Sequence, residues 1–340
     1  MIKKLSEVRN ELDHLHKVGI EQGKDVGWSW EQFPYTVKLG STTYIAGAPA
    51  SGKSEFWFEI LINLSCLHGW KHVIYSPETG SHVDIYSELM HKFIGKPYVK
   101  GNWMMNEVEK LTAERFIEKH FFVFDDQSEM TAKNFYEFID EFEKQHNITI
   151  QTTTADPWNE LKSDFKPEDL GREDMFLSRV LGDVRKHAKK TNKHHCIITH
   201  VRDQRLEKSP EGTYYYPIPT ARDLAGGQTW FRKGMSMIMF WRPPKGFEVE
   251  PGVIAEDNEV HVKIVKTKPK GTSKNGTYKF FLNISAYRYY MKDFVGKEIY
   301  SDRGAYDTKP SNNFQTGVAF KPLPMNTEFD ITPLTDETPF

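Results

Sequence analysis

From Thr42 onward, runs with the spacing of strands alternate with longer runs of helical length. TTYIAG (42–47) is short and β-branched and reads as a strand. A Gly/Pro/Ser loop follows, then an apolar helix rich in Trp and Phe over 53–67. HVIYS (72–76) predicts a second strand. Residues 81–93 predict a helix with Ser81 as N-cap, stopped before Gly95 and Pro97. Further helices are expected over 107–119, 131–145 and 172–191. Further strands are expected at FFVF (121–124), ITIQTTTA (148–155) and HCIITH (195–200). Strands alternating with helices predict an α/β fold, its central sheet mostly parallel and covered on both faces. MSMIMFW (235–241), EVHVKIV (259–265) and TYKFFLNI (277–284) have shorter connections and predict added strands, some of them antiparallel, at one end of the sheet.

Ahead of this core, Ile2, Leu5, Val8, Leu12 and Leu15 recur near the helical period, so residues 2–17 read as one helix. The last forty residues are rich in Pro, Asn, Thr and Asp and read as an extended tail. The expected division is a helix within 1–22, a core over 23–300 and an acidic tail over 301–340.

Composition narrows the class. Lys plus Arg is 45 and Asp plus Glu is 47, a net charge of −2, so the chain is not basic throughout. With 38% hydrophobic residues it is neither disordered nor collagen-like. No segment approaches the ~20 apolar residues of a membrane helix. The charged start, MIKKLSEVRNELDHLHK, predicts no signal peptide. Cys66 and Cys196 lie far apart, which predicts two reduced core thiols and a cytoplasmic setting.

GAPASGKS (47–54) carries the strongest chemistry. It fits G-x-x-x-x-G-K-[ST] in full, with a strand before it and a helix after it. Gly47 and Gly52 let the backbone of Ala48, Pro49, Ala50 and Ser51 fold around an anion. Loop N–H groups and the positive helix end then face the phosphates. Lys53 would bridge the β- and γ-phosphates of ATP, and Ser54 would take a Mg²⁺ position.

Hydrolysis needs more than binding. Asp156 closes a β-branched strand before Pro157, where open α/β sheets bind ligands, and suits a magnesium-directing carboxylate. Glu78, in YSPETG, can polarise a water; the alternative is a solvated loop acid. Asp125 and Asp126 also end an apolar run and compete for either role; spacing alone does not separate them. His200 ends HCIITH and suits a γ-phosphate sensor, against the ordinary fate of a satisfied or surface histidine.

Two basic runs stand out. The stretch from Arg185 to Lys208 holds eight Lys/Arg residues. Most read as a solvated helix face, but Arg202, Arg205 and Lys208 follow the nucleotide-edge strand and suit contacts to a single strand's phosphates. Residues 263–279 hold six lysines and no acid, and read as a presented basic loop aimed at nucleic acid or a neighbouring subunit's ATP.

GAPASGKSEF, SPE (76–78), DPWNEL (156–161), the helix near Met175, ITH (198–200), DLAGGQTWFRKG (223–234) and KIVKTKPKG (263–271) occur in a fixed order. That order resembles the helicase domain of the DnaB/Twinkle superfamily, especially its Twinkle-like and phage primase-helicase branch, over residues 25 to 290. The resemblance implies a RecA-like P-loop NTPase core. It implies assembly as a homo-oligomeric, hexameric ring on single-stranded DNA, driven by ATP hydrolysis with Mg²⁺. Residue by residue, it makes Lys53 and Ser54 the phosphate-loop pair, Glu78 the catalytic glutamate, Asp156 the magnesium aspartate and His200 the sensor. It makes the loop 201–208 a DNA contact. Lys266 and Lys268 become the basic pair supplied across the subunit interface, and the N-terminal helix becomes a linker that docks on the adjacent subunit. Three features depart from the family: Lys268 replaces an arginine finger, Met235 stands where relatives often place Asp, and no primase or zinc module accompanies the core. A separate primase is therefore expected, and the host cytoplasm if the chain is phage-encoded. The acidic end, closing Asp-Glu-Thr-Pro-Phe, suits capture by a basic, apolar pocket on a replication partner.

The first expectation is thus a replicative-type ATP-dependent single-strand DNA translocase and helicase. Two rivals keep the fold: a filament-forming single-strand-dependent ATPase, and a non-hydrolysing ATP-bound scaffold or loader.

Overall fold

The computed structural model describes residues 2–20, 22–125, 130–202, 207–208, 212, 214–215, 217–244, 246–250 and 253–307. Among them the central feature is a sheet of 10 strands. In chain order these are β1 (Thr42–Gly47), β2 (His72–Tyr75), β3 (Phe121–Val123), β4 (Thr152–Ala155), β5 (His194–His200), β6 (Ser236–Trp241), β7 (Glu259–Lys266), β8 (Gly276–Asn283), β9 (Arg288–Lys292) and β10 (Glu298–Tyr300). Across the sheet they run β10-β9-β8-β7-β6-β1-β5-β4-β2-β3. The half from β6 to β3 is parallel. The half from β7 to β10 adds on antiparallel. This is the expected α/β architecture of the RecA-like kind.

Alternation within the strands decides which helix covers which face. In β1, Tyr44 and Ala46 join one core while Ile45 joins the other; in β6, Met237 and Met239 oppose Ile238 and Phe240 in the same way. Helices α2 (Lys53–His68), α3 (His82–Ile94) and α4 (Glu107–His120) pack on the Ile45 side. Helices α5 (Ala132–His146) and α6 (Glu173–Thr191), with Trp230 of the short α7 (Gln228–Lys233), pack on the Tyr44 side. α2 is apolar around its whole circumference because it is buried around its whole circumference: Phe56, Trp57, Phe58, Ile60, Leu61 and Ile62 are all fully covered. Ser81 caps α3 as expected, and Gly95 ends it in a left-handed turn at φ 80°.

Several expectations are corrected. The strand predicted over 148–155 pairs only from Thr152. The Ile150 N–H goes instead to Glu143 Oε1 at 2.5 Å, and the Gln151 N–H to Lys71 O at 3.0 Å. The N-terminal helix is a 3-10 turn (Leu5–Val8) followed by α0, Arg9–Val18. The folded core also continues past the boundary expected at 300. Arg303 is fully buried, donates to Glu59 Oε1 at 2.8 Å and Asn63 Oδ1 at 2.9 Å, and reaches the carbonyls of Lys92 and Phe93. Arg288 Nε lies 3.4 Å from the same Glu59 oxygen. A hydrophobic-pattern reading does not find this segment, because a charge pair and not an apolar stripe anchors it. The acidic end of the tail lies outside the described residues. No helix among the described residues is long and apolar enough to cross a membrane.

Candidate active site

Residues 47–54 join β1 to α2 at the carboxyl edge of the parallel half. The loop turns through left-handed backbone at Ala50 (φ 54°) and Gly52 (φ 95°). A Cβ on Gly47 would lie 2.2 Å from Phe240 O, so only glycine fits against β6 there. Lys53 opens α2 and folds back over the loop, its Nζ donating to Ala48 O at 2.8 Å. Burial lowers its pKa, opposed by Asp156, Glu55 and Glu78. The Ser51 hydroxyl is buried and has no hydrogen-bond partner among the described residues. An orphaned donor beside a cradle that a side chain would fill fits an anion such as a phosphate group.

The strand order brings the acids and the histidine to this loop. β5 lies beside β1, with β4 and then β2 beyond it. His200, at the end of β5, sits between two partners. Its Nδ1 is 3.4 Å from Lys53 Nζ and its Nε2 is 2.9 Å from Glu78 Oε2. A ring carrying its proton on Nε2 satisfies both contacts, since Lys53 can only donate and the carboxylate only accept. Asp156 follows β4 and is almost wholly covered. Ser76 donates to its Oδ2 at 3.1 Å, and Ser54 bonds it from α2. Burial raises the Asp156 carboxyl, opposed by those two hydroxyls and by Lys53. A divalent cation at this spot would oppose that rise. Ser54 and Asp156 are the residues that would hold Mg²⁺, together with phosphate oxygens. Among the described residues no cluster of three His, Cys, Asp or Glu could hold a metal ion by itself.

Position separates two of the three competing acids. Asp125 follows β3, the outermost strand, is exposed, and has His82 Nε2 at 4.0 Å. Glu78 is the acid that touches His200. Asp126 lies outside the described residues. One neighbour escaped the sequence reading: Glu88, on α3, is pushed up to about 7 by burial, with Lys92 opposing and Glu55 and Asp156 adding to the rise. A glutamate mid-helix carries no motif, so no local signal marks it.

The other predicted residues stand apart. Arg202 is exposed, two residues beyond His200, and pairs with Glu173 Oε2 at 3.3 Å. Lys208 is exposed, with its Nζ 5.6 Å over the Tyr214 ring. Arg205 lies outside the described residues. The basic pair splits. Lys266 is buried and turned inward, donating to the carbonyls of Phe231 and Arg232 at the end of α7, while Lys268 is exposed. Only part of the 263–279 run is thus a presented basic loop: Lys268, Lys270 and Lys274 are exposed, and Lys279 pairs with buried Glu259 at 3.0 Å.

Comparison with known proteins bears on the fold. No protein-family model matches the chain. A Twinkle homolog protein, chloroplastic/mitochondrial, from Arabidopsis thaliana is 27% identical over 195 residues, which is 55% of this chain and 26% of that relative. The chain therefore spans about a quarter of that relative's length. Among solved structures, the ATPase domain of G40P superposes with a TM-score of 0.65 at 14% identity, over 86% of this chain and 100% of that one. A DnaB-like replicative helicase, solved in a study of its interactions with primase, superposes with a TM-score of 0.62 at 16% identity, over 85% of this chain and 67% of that one. At such identities the structural likeness is one of fold, and the sequence likeness comes from the Twinkle relative. The chain thus shares its fold with DnaB-like helicase ATPase domains, and part of it is similar in sequence to a Twinkle homolog.

Proposed function

We propose that this chain is an ATP-driven single-stranded DNA translocase of the replicative-helicase type, working as a homo-oligomeric ring, a hexamer by analogy with its family resemblance. The observation that carries the reading is the contact line Lys53–His200–Glu78 across the phosphate loop, with Asp156 and Ser54 beside it. Lys53 is the charge that meets the γ-phosphate. Glu78 accepts the proton of the attacking water. His200 touches both, so a phosphate that draws Lys53 away from it alters its hold on Glu78. Arg202 follows His200 by two residues, which supports a strand contact beside that sensor; Arg205 and Lys208 are assigned to the same role from the sequence. Magnesium at Ser54 and Asp156 supplies charge neutralisation on the phosphates when bound. Lys268, which is exposed, suits a neighbour's nucleotide; Lys266, turned inward, supports α7.

An unpartnered surface supports assembly. On α0 and the turn before it, Leu5, Leu12, Leu15 and Val18 are 63%, 43%, 45% and 66% exposed, an apolar stripe that a second copy of the chain would cover. The acidic tail and a separate primase complete the proposed partners.

The test is ATP turnover by the purified chain with and without single-stranded DNA, beside the Lys53→Ala variant. Stimulation by the strand, with loss of roughly 100-fold or more in the variant, is expected. Turnover that survives Lys53→Ala removes the phosphate-loop assignment. Imaging the same samples with a non-hydrolysable ATP analogue separates a ring from a filament, and strand-bound assemblies without turnover would favour the scaffold.

A further inference from the structure

We propose that Tyr289, on antiparallel strand β9, is a positioning residue for the phosphate loop and thereby sets nucleotide affinity. This rests on the nucleotide-site reading above. The Tyr289 hydroxyl donates to Gly52 O at 3.0 Å, across 237 residues of chain. Gly52 is where the loop turns into α2, and a Cβ there would lie 2.5 Å from that hydroxyl. The carbonyl of Gly52 and the N–H of Lys53 belong to one planar trans peptide and point in opposite directions. Holding the carbonyl from behind therefore aims the Lys53 N–H into the cradle, where a phosphate would take it. The Gly52 carbonyl also accepts from the Phe56 N–H at 3.0 Å, so two donors hold that oxygen in place.

The phenol cannot swing away. Tyr289 is fully buried, with the Phe56 and Phe240 rings at 5.3 and 6.4 Å. Lys92 of α3, itself fully buried, lies 5.7 Å over its ring and 4.3 Å over the ring of Tyr287, and donates to Tyr287 O at 2.8 Å. Tyr287 in turn bonds Glu55, in the first turn of α2. Tyr289 on β9 and Tyr287 in the turn before it thus grip the start of α2. Lys92 stands on the helix that begins four residues after Glu78. Glu78 and Gly52 are thereby tied to one strut, which the parallel core does not supply.

The experiment compares the full chain with Tyr289→Phe, which removes one hydroxyl and keeps the ring. A fluorescent ATP analogue is titrated with Mg²⁺ present, and ATP turnover is measured for KM and kcat. The variant should bind about 5- to 10-fold more weakly, the worth of one buried hydrogen bond, with KM raised alike, kcat at saturation nearly unchanged, and the unfolding midpoint close to wild type. Equal binding with a lowered midpoint would make the hydroxyl merely structural and overturn the inference. In wild type, added nucleotide should slow amide exchange over 288–292 as well as over 47–54, because coupling between sites is reciprocal. Protection confined to 47–54 also overturns it. A wild-type chain that binds no nucleotide overturns the site itself, an outcome distinct from either.

Discussion

His194 shows how a single buried side chain dictates its own protonation state. Its Nδ1–H donates to Lys38 O at 2.9 Å, and its Nε2 accepts from Thr43, whose oxygen in turn meets the Tyr35 hydroxyl at 2.8 Å. A neutral ring satisfies this chain of bonds, and burial lowers its pKa to about 4. An unfolded histidine takes up its proton near pH ~6.5. Between the two values the unfolded state holds more protons, so the stability that His194 contributes is present above pH ~6.5 and is lost as pH falls toward 4. The loss reaches about 3 kcal/mol at pH ~4. Burial lowers His72 and His195 in the same direction. The thermal midpoint should therefore fall steadily from pH 7 to 4.5, and less steeply in His194→Gln; equal slopes would mean the proton is taken up elsewhere. At this scale the motif residues were legible, since Lys53, Ser54, Asp156, Glu78 and His200 do converge on one loop. Glu88 and Tyr289 were not, because their significance lies in what they face, and Ser51 was legible only as loop backbone.

Among the elements, the clearest lesson comes from α2. Its apolar wrap was plain in the sequence, yet Glu59 sits in the middle of it with no exposure at all. Burial alone would raise the Glu59 carboxyl, but Arg303, Arg288 and Lys92 together hold it below its usual range. The cluster fastens β9 and the segment after β10 to α2. Replacing Glu59 by Gln leaves buried Arg303 without its carboxylate and Arg288 with Asp307, at 4.0 Å, and should cost about 3–5 kcal/mol in denaturant unfolding. A loss below ~1 kcal/mol would mean the guanidinium groups find other acceptors. The strands β9 and β10 themselves were missed, because RYYMK and EIY are too short and too mixed to stand out against the tail that follows. The strand at 148–155 was overdrawn for the opposite reason: β-branched residues continue, but the backbone partners of its first half lie in a helix end.

For the whole molecule, the question is what covers the stripe on α0. An isolated helix of this length is marginal in water, so its stability comes from what it packs against. Leu12→Glu combined with Leu15→Glu should leave the core folded and abolish assembly by sedimentation. A persistent oligomer would show that the subunits meet through other surfaces. The same experiment bears on the motor reading, since an exposed Lys268 acts only if a neighbouring site lies opposite it.

Taken alone, the sequence determined the parallel core, the phosphate loop with its flanking strand and helix, and the list of groups fit for phosphate chemistry. Local pattern suffices there, because strand period, glycine freedom and helix capping act over a few residues. Only the tertiary structure decided which acid reaches His200, that Lys266 turns inward while Lys268 does not, and that the chain past 300 belongs to the core. Those outcomes depend on strand order and on charges meeting across more than a hundred residues, where sequence spacing carries no information about distance.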